Sequence, residues 1–115
     1  MYKMAVVMRT DIEMGRGKMC AQASHAVLDT YLEAVRIRPD YAVGWLAEGE
    51  KVVVLKVNSK QDLMDLYNNV RKYLPAKLVV DAGRTQIERG TITCFGAGPA
   101  PEPEIDKFFS KLKLL

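Results

Sequence analysis

The chain is short of metal-binding residues. It has two cysteines, Cys20 and Cys94, and one histidine, His25, in 115 residues, with no CxxC pair. Zinc sites of the usual kinds are therefore excluded, since they draw several Cys or His ligands from tight spacings. A disulfide between the two cysteines is geometrically open but disfavoured in a reducing compartment. Long apolar runs are missing too. The longest near the N-terminus, Met4-Ala5-Val6-Val7-Met8, is too short for a signal-peptide core or a membrane span, and a cytoplasmic protein is expected. Excess charge is also modest. A net +3 and a pI near 8.9 stop short of a dedicated nucleic-acid binder's footprint, so any RNA partner must be met by a local basic patch. No repeat or low-complexity segment interrupts the chain.

What is present reads as one domain, residues 1–115, with 49% hydrophobic and 27% charged residues. Residues 3–9 (KMAVVMR) form a buried first strand. From about Gly17 to Val35 helix formers dominate, with Arg36 and Arg38 suited to the C-terminal dipole and Pro39 marking a break. A short helix over Asp40–Ala47, closed by Gly49, precedes a strand over Lys51–Val57. Ser59 caps the next helix, in which Leu63, Leu66, Val70 and Leu74 keep helical spacing up to Pro75. Lys77–Asp81 and Thr91–Gly96 are the last strands, with Glu88-Arg89-Gly90 as the hairpin loop between them. That loop would set Ile87 opposite Thr91 and Thr85 opposite Thr93. The Pro-rich Gly98–Pro103 leads to a final helix, Glu104 to about Lys113. The order β-α-α-β-α-β-β-α implies a three-layer α/β/α domain, because crossover helices cover both faces of a sheet.

One stretch, "MGRGKMCAQASHA" over residues 14–26, invites three chemical readings. It is not a Walker loop, because Ile12 and Met19 stand where Gly and Ser or Thr are needed. A dinucleotide fingerprint fails as well, since Cys20 takes the third glycine's place. Cys20 and His25 lie about 140° apart around a helix, so they cannot act as nucleophile and base, and Cys20 reads as a small core residue. What survives is a basic loop at a helix N-terminus, where free N–H groups favour an anion. Lys18, Gln22, His25 and Asp29 also fall on one polar stripe, for which a solvated helix face is the alternative account.

The second constellation is Asp81-Ala82-Gly83-Arg84-Thr85-Gln86 with Thr91 and Thr93. Asp81 shares strand parity with Thr85, and a carboxylate beside hydroxyls and Arg84 could orient a water and polarise an ester carbonyl. Threonine on a pleated surface and Asp at a strand end are equally well explained by structure alone.

Together, "MGRGKMCAQASHA", "DAGRTQIERGT" and "GAGP" resemble the type 2 peptidyl-tRNA hydrolases, the archaeal and eukaryotic form, along essentially the whole chain. Arg16 and Cys20 depart mildly from relatives that carry Lys and Ala. The resemblance implies a mixed four-stranded sheet, a homodimer, no metal or other cofactor, and hydrolysis of the ester between peptide and tRNA. It implies catalytic roles for Lys18, Asp81, Thr85 and Thr93, with Gln22 and His25 in less defined ones. Arg9, Arg16 and Arg84, with Gln86 of the same motif, are expected on the tRNA side. The competing class is a non-catalytic RNA-binding or protein-interaction module on the same fold.

Overall fold

The computed structural model describes residues 1–83 and 90–115. Its elements are β1 (Tyr2–Arg9), α1 (Arg16–Ile37), α2 (Pro39–Ala47), β2 (Val52–Val57), α3 (Lys60–Val70), β3 (Ala76–Val80), β4 (Ile92–Pro101) and α4 (Glu102–Phe109). The strands form one sheet in the order β2-β1-β4-β3. β1 runs parallel to β2, while β4 is antiparallel to both β1 and β3, so the sheet is mixed as expected.

Strand alternation divides the apolar residues between two layers. Val6, Met8, Val79 and Cys94 face α1, where Ala26 is fully buried against them. Ala5, Val7, Leu55 and Phe95 face the other way, onto Leu63 and Val70 of α3 and Ile105 and Phe109 of α4. β1 is closed on both sides, which is why Met4 to Met8 reads as an unbroken apolar run. Ser59 caps α3 by accepting from the Asp62 N–H at 3.0 Å. Trp45 of α2 is buried, its indole N–H donating to the Lys51 carbonyl at 2.8 Å.

The approach of α1 to the sheet depends on a glycine. A Cβ on Gly96 would lie 2.3 Å from Thr30 Oγ1 and 2.9 Å from the Ala26 carbonyl oxygen, so only hydrogen fits there. This contact holds the middle of α1 close to β4.

Four details differ from the sequence expectation. β4 does not stop at Gly96 but continues through the Pro-rich segment, pairing Ala100 with Lys3 and Pro101 with Tyr2. Proline is tolerated because the register shifts between Lys3 and Ala5, and the ladder demands no N–H at Pro99. α4 ends at Phe109 rather than near Lys113, and the residues beyond it turn onto β2. There the Lys56 N–H donates to the Lys113 carbonyl and the Leu115 N–H to the Val54 carbonyl, both at 3.0 Å. Cys20 is exposed rather than packed in the core. The β3–β4 register also differs from that of a three-residue hairpin. Thr91 accepts from the Asp81 N–H at 2.8 Å, and Thr93 sits at a bulge between the Val79–Cys94 and Val80–Ile92 pairs. Ile87 and Thr85, expected opposite Thr91 and Thr93, lie outside the described residues, as do Glu88 and Arg89.

Candidate active site

Gly15 stands at the N-cap of α1 with extended backbone and no side-chain cap, and no acidic residue occupies the first turn. Among the described residues no side chain caps it, so the helix presents the positive end of its dipole together with the exposed Arg16. Two residues into the helix, Lys18 reaches across to the end of β3. Its ammonium lies 2.5 Å from Asp81 Oδ1, and both side chains are withdrawn from solvent, at 10% and 3% exposure. Asp81 is held by its backbone on both sides: its N–H donates to Thr91, and its carbonyl accepts from Gly90 at 2.9 Å. Gly90 has φ +87, the left-handed conformation that lets the chain return here. The second carboxylate oxygen, Asp81 Oδ2, is buried with no hydrogen-bond partner among the described residues.

A second polar pair lies beside the first. Thr93 Oγ1 donates to Gln22 Oε1 at 2.5 Å, and both residues are buried. Thr93 is thus tied to α1 rather than to Asp81, and the bulge on β4 aims it there. This bond joins β4 to α1 one turn beyond Lys18, which fixes the height at which the lysine meets Asp81. Cys94 Sγ is 3.5 Å from the Gln22 carbonyl, and burial pushes its thiol up to about 11, so it stays neutral and is no nucleophile.

Lys18, Gln22, His25 and Asp29 all line one cleft of about 440 Å³, whose other wall is Leu78 to Ala82. The stripe is therefore more than a solvated face: Gln22 is buried and Asp29 half-buried, while His25 is exposed at the rim. A larger cleft of about 560 Å³ lies on the opposite flank of α1, lined by Val27, Tyr31, Trp45 and Val54. It is mostly apolar and holds neither Lys18 nor Asp81.

Arg9 takes up a different position from the one expected of a tRNA contact. Its guanidinium is buried, donating through Nε and Nη2 to both Asp11 carboxylate oxygens at 3.0 and 2.8 Å and through Nη1 to the Ile92 carbonyl at 3.0 Å. This bidentate bond raises the arginine's pKa and holds the Asp11 carboxyl below its usual range. Arg9 thereby clamps the start of β4 beside the site. Asp11, unlike Asp29, to which helical spacing points, is not singled out by the sequence pattern. Arg84, Thr85 and Gln86 lie outside the described residues.

The fold and the cleft together define a class: an α/β domain whose buried lysine–carboxylate pair opens beside a basic helix N-terminus, an arrangement suited to hydrolytic attack on an anionic substrate. The chain belongs to the peptidyl-tRNA hydrolase PTH2 family, whose model matches residues 2–115. It is 50% identical to a peptidyl-tRNA hydrolase of Methanococcus maripaludis over the full length of both chains. It is 48% identical to that of Methanocaldococcus jannaschii and 45% identical to that of Sulfolobus acidocaldarius, in each case over 98% of this chain and 99% of the relative.

Proposed function

We propose that this chain hydrolyses the ester joining a peptide to the terminal ribose of tRNA, using Asp81 and Lys18 as the reacting pair. The observation that carries the site assignment is the buried 2.5 Å Lys18–Asp81 contact with Asp81 Oδ2 left unpartnered in a cleft. Asp81 Oδ2 accepts a hydrogen bond from the attacking water and takes its proton as the oxygen adds to the ester carbonyl carbon. Lys18, whose ammonium stands beside the same carboxylate, offsets the negative charge that builds on the carbonyl oxygen. Collapse of the tetrahedral intermediate breaks the bond to the ribose oxygen, which leaves with a proton as the tRNA hydroxyl. Gln22 and Thr93 act through position: their buried bond keeps α1 seated so that Lys18 meets Asp81. Thr85 retains the catalytic role that the family resemblance implies.

The start of α1, the positive end of the helix dipole with Arg16 exposed on it, receives backbone phosphate at the acceptor end. Arg84 and Gln86 extend that contact, His25 meets substrate at the cleft rim, and Arg9 supports the wall beneath. The purified protein is expected to release peptide from an N-blocked aminoacyl-tRNA without added metal. A protein that binds this substrate and never deacylates it would instead be the non-catalytic module. Binding should weaken with salt, and Arg16→Ala should reduce the slope of log(kcat/KM) against log salt by up to about 0.9. An unchanged slope would remove Arg16 from the interface.

No helix among the described residues is long and apolar enough to cross a membrane. A cytoplasmic homodimer is the state we propose in solution. It is supported by the apolar groove on the far flank of α1 and by the neighbouring exposed Leu28, Leu32, Val43 and Leu46. Sedimentation should give the mass of two chains, and a single-chain mass at micromolar concentration would reject it.

A further inference from the structure

The sheet has two edges, and the chain treats them differently. On β2 the outer edge is covered by the C-terminal residues: Leu55 bridges Leu114, the Lys56 N–H donates to Lys113 and the Leu115 N–H donates to Val54. On β3 no described strand lies beyond the edge. The hydrogen-bonding pattern shows which groups it leaves open. Gly98 donates to Pro75 at one end of the β3–β4 ladder, and Asp81 donates to Thr91 at the other. Bonded positions alternate along an antiparallel strand, so residues 77 and 79 also turn inward to β4. Leu78 and Val80 then point their N–H and C=O groups outward, and both line the Lys18–Asp81 cleft.

The cleft has a direction. Lys18 meets Asp81 at one end, while Glu33 and Lys77 pair at 3.7 Å further along, so α1 runs antiparallel to β3. From Lys18 to Asp29 the helical wall spans about 16 Å, the length of four to five extended residues. We infer that the open edge of β3 is the subsite for the peptide part of the substrate, which adds to the sheet as an extended strand parallel to β3, its esterified carboxyl end at Lys18–Asp81. This deepens the function proposed above and rests on it. The occupant follows from continuity, because the reacting carbonyl lies at one end of the same cleft and the peptide must leave it along one of the walls. Main-chain pairing also suits the chemistry: it binds any sequence through groups every residue carries, which an enzyme clearing peptides of arbitrary sequence requires.

The test uses the intact protein and tRNA esterified with N-acetylated oligoalanine of one to six residues. We expect kcat/KM to rise roughly two- to tenfold for every two residues added, through new main-chain hydrogen bonds, and to level off at four or five. N-methylation of the amides that face β3 should abolish the gain, whereas methylation of the intervening amides should leave it. Hydrolysis of the single-residue substrate with a flat length series, or a gain insensitive to which amide is methylated, would overturn the edge subsite while leaving the ester hydrolysis intact. No hydrolysis of any member, the single-residue substrate included, would overturn the function and the subsite with it.

Discussion

Asp81→Asn should lower kcat by about 10²–10⁴ on an N-blocked aminoacyl-tRNA, because it keeps the side chain's shape and removes the group that accepts the water's proton. Lys18→Met should cost a comparable factor. The double variant should lose little more than either single one, since residues acting as a unit are not additive. Stability will move as well, for a physical reason visible in the structure. Both side chains are largely out of water, and removing one charge leaves the other without its partner, at a cost of up to about 3–5 kcal/mol. Restoring charge balance in the double variant should therefore recover melting temperature without recovering turnover. That split between a rescued fold and a lost reaction is what an ion pair serving only stability would not show. Asp81→Asn activity within tenfold of the parent, measured well below the melting temperature, would sink the assignment.

Gly96→Ala should be among the most destabilising single changes away from the site. The added methyl has no room, with Thr30 Oγ1 at 2.3 Å and the Ala26 carbonyl at 2.9 Å, so α1 must lift from β4. Overpacking of this kind costs about 1–3 kcal/mol or more, and each kcal/mol lowers the melting temperature of a domain this size by about 4–8 °C. Thr30→Ala in the same chain should recover part of the loss. Its hydroxyl has no hydrogen-bond partner among the described residues, so little is forfeited by removing it, while the Ala26 carbonyl still crowds the site. Because α1 carries Lys18 and Gln22, the folded fraction of Gly96→Ala should also turn over more slowly. A melting temperature within 2 °C of the parent would show that the helix contact is softer than its geometry indicates.

The elements were legible in the sequence where a single local force dominates. Ser59 before an amphipathic run, the apolar Val52–Leu55 segment and the break at Pro39 each left one reasonable reading, and helix, strand and turn fall there. Element ends depart from local preference where a distant partner overrides it. The Pro-rich segment after Gly96 joins β4 because Tyr2 and Lys3 lie alongside to pair with it. Residues past Phe109 leave the helix because β2 offers an edge to cover. Cys20, small and set among apolar neighbours in sequence, is exposed because the helix turns it away from the sheet.

For the site, the candidates were legible along the chain: a lysine at a helix start, a carboxylate at a strand end, and a polar stripe along one helix, with the family motif supplying their order. The sequence by itself could not determine who touches whom. Thr93 shares a strand with residues near Asp81 yet bonds Gln22, because a bulge one residue wide redirects its side chain. Arg9 carries the charge expected of a phosphate contact yet is held by Asp11 and Ile92, because burial beside a carboxylate leaves a guanidinium no better partner. Lys18 and Asp81, sixty-three positions apart, meet because Gly96 lets α1 settle onto β4 at the height where the two side chains reach each other. Periodicity and composition act over a few residues, whereas that meeting is set by close packing between layers, which only the folded chain supplies.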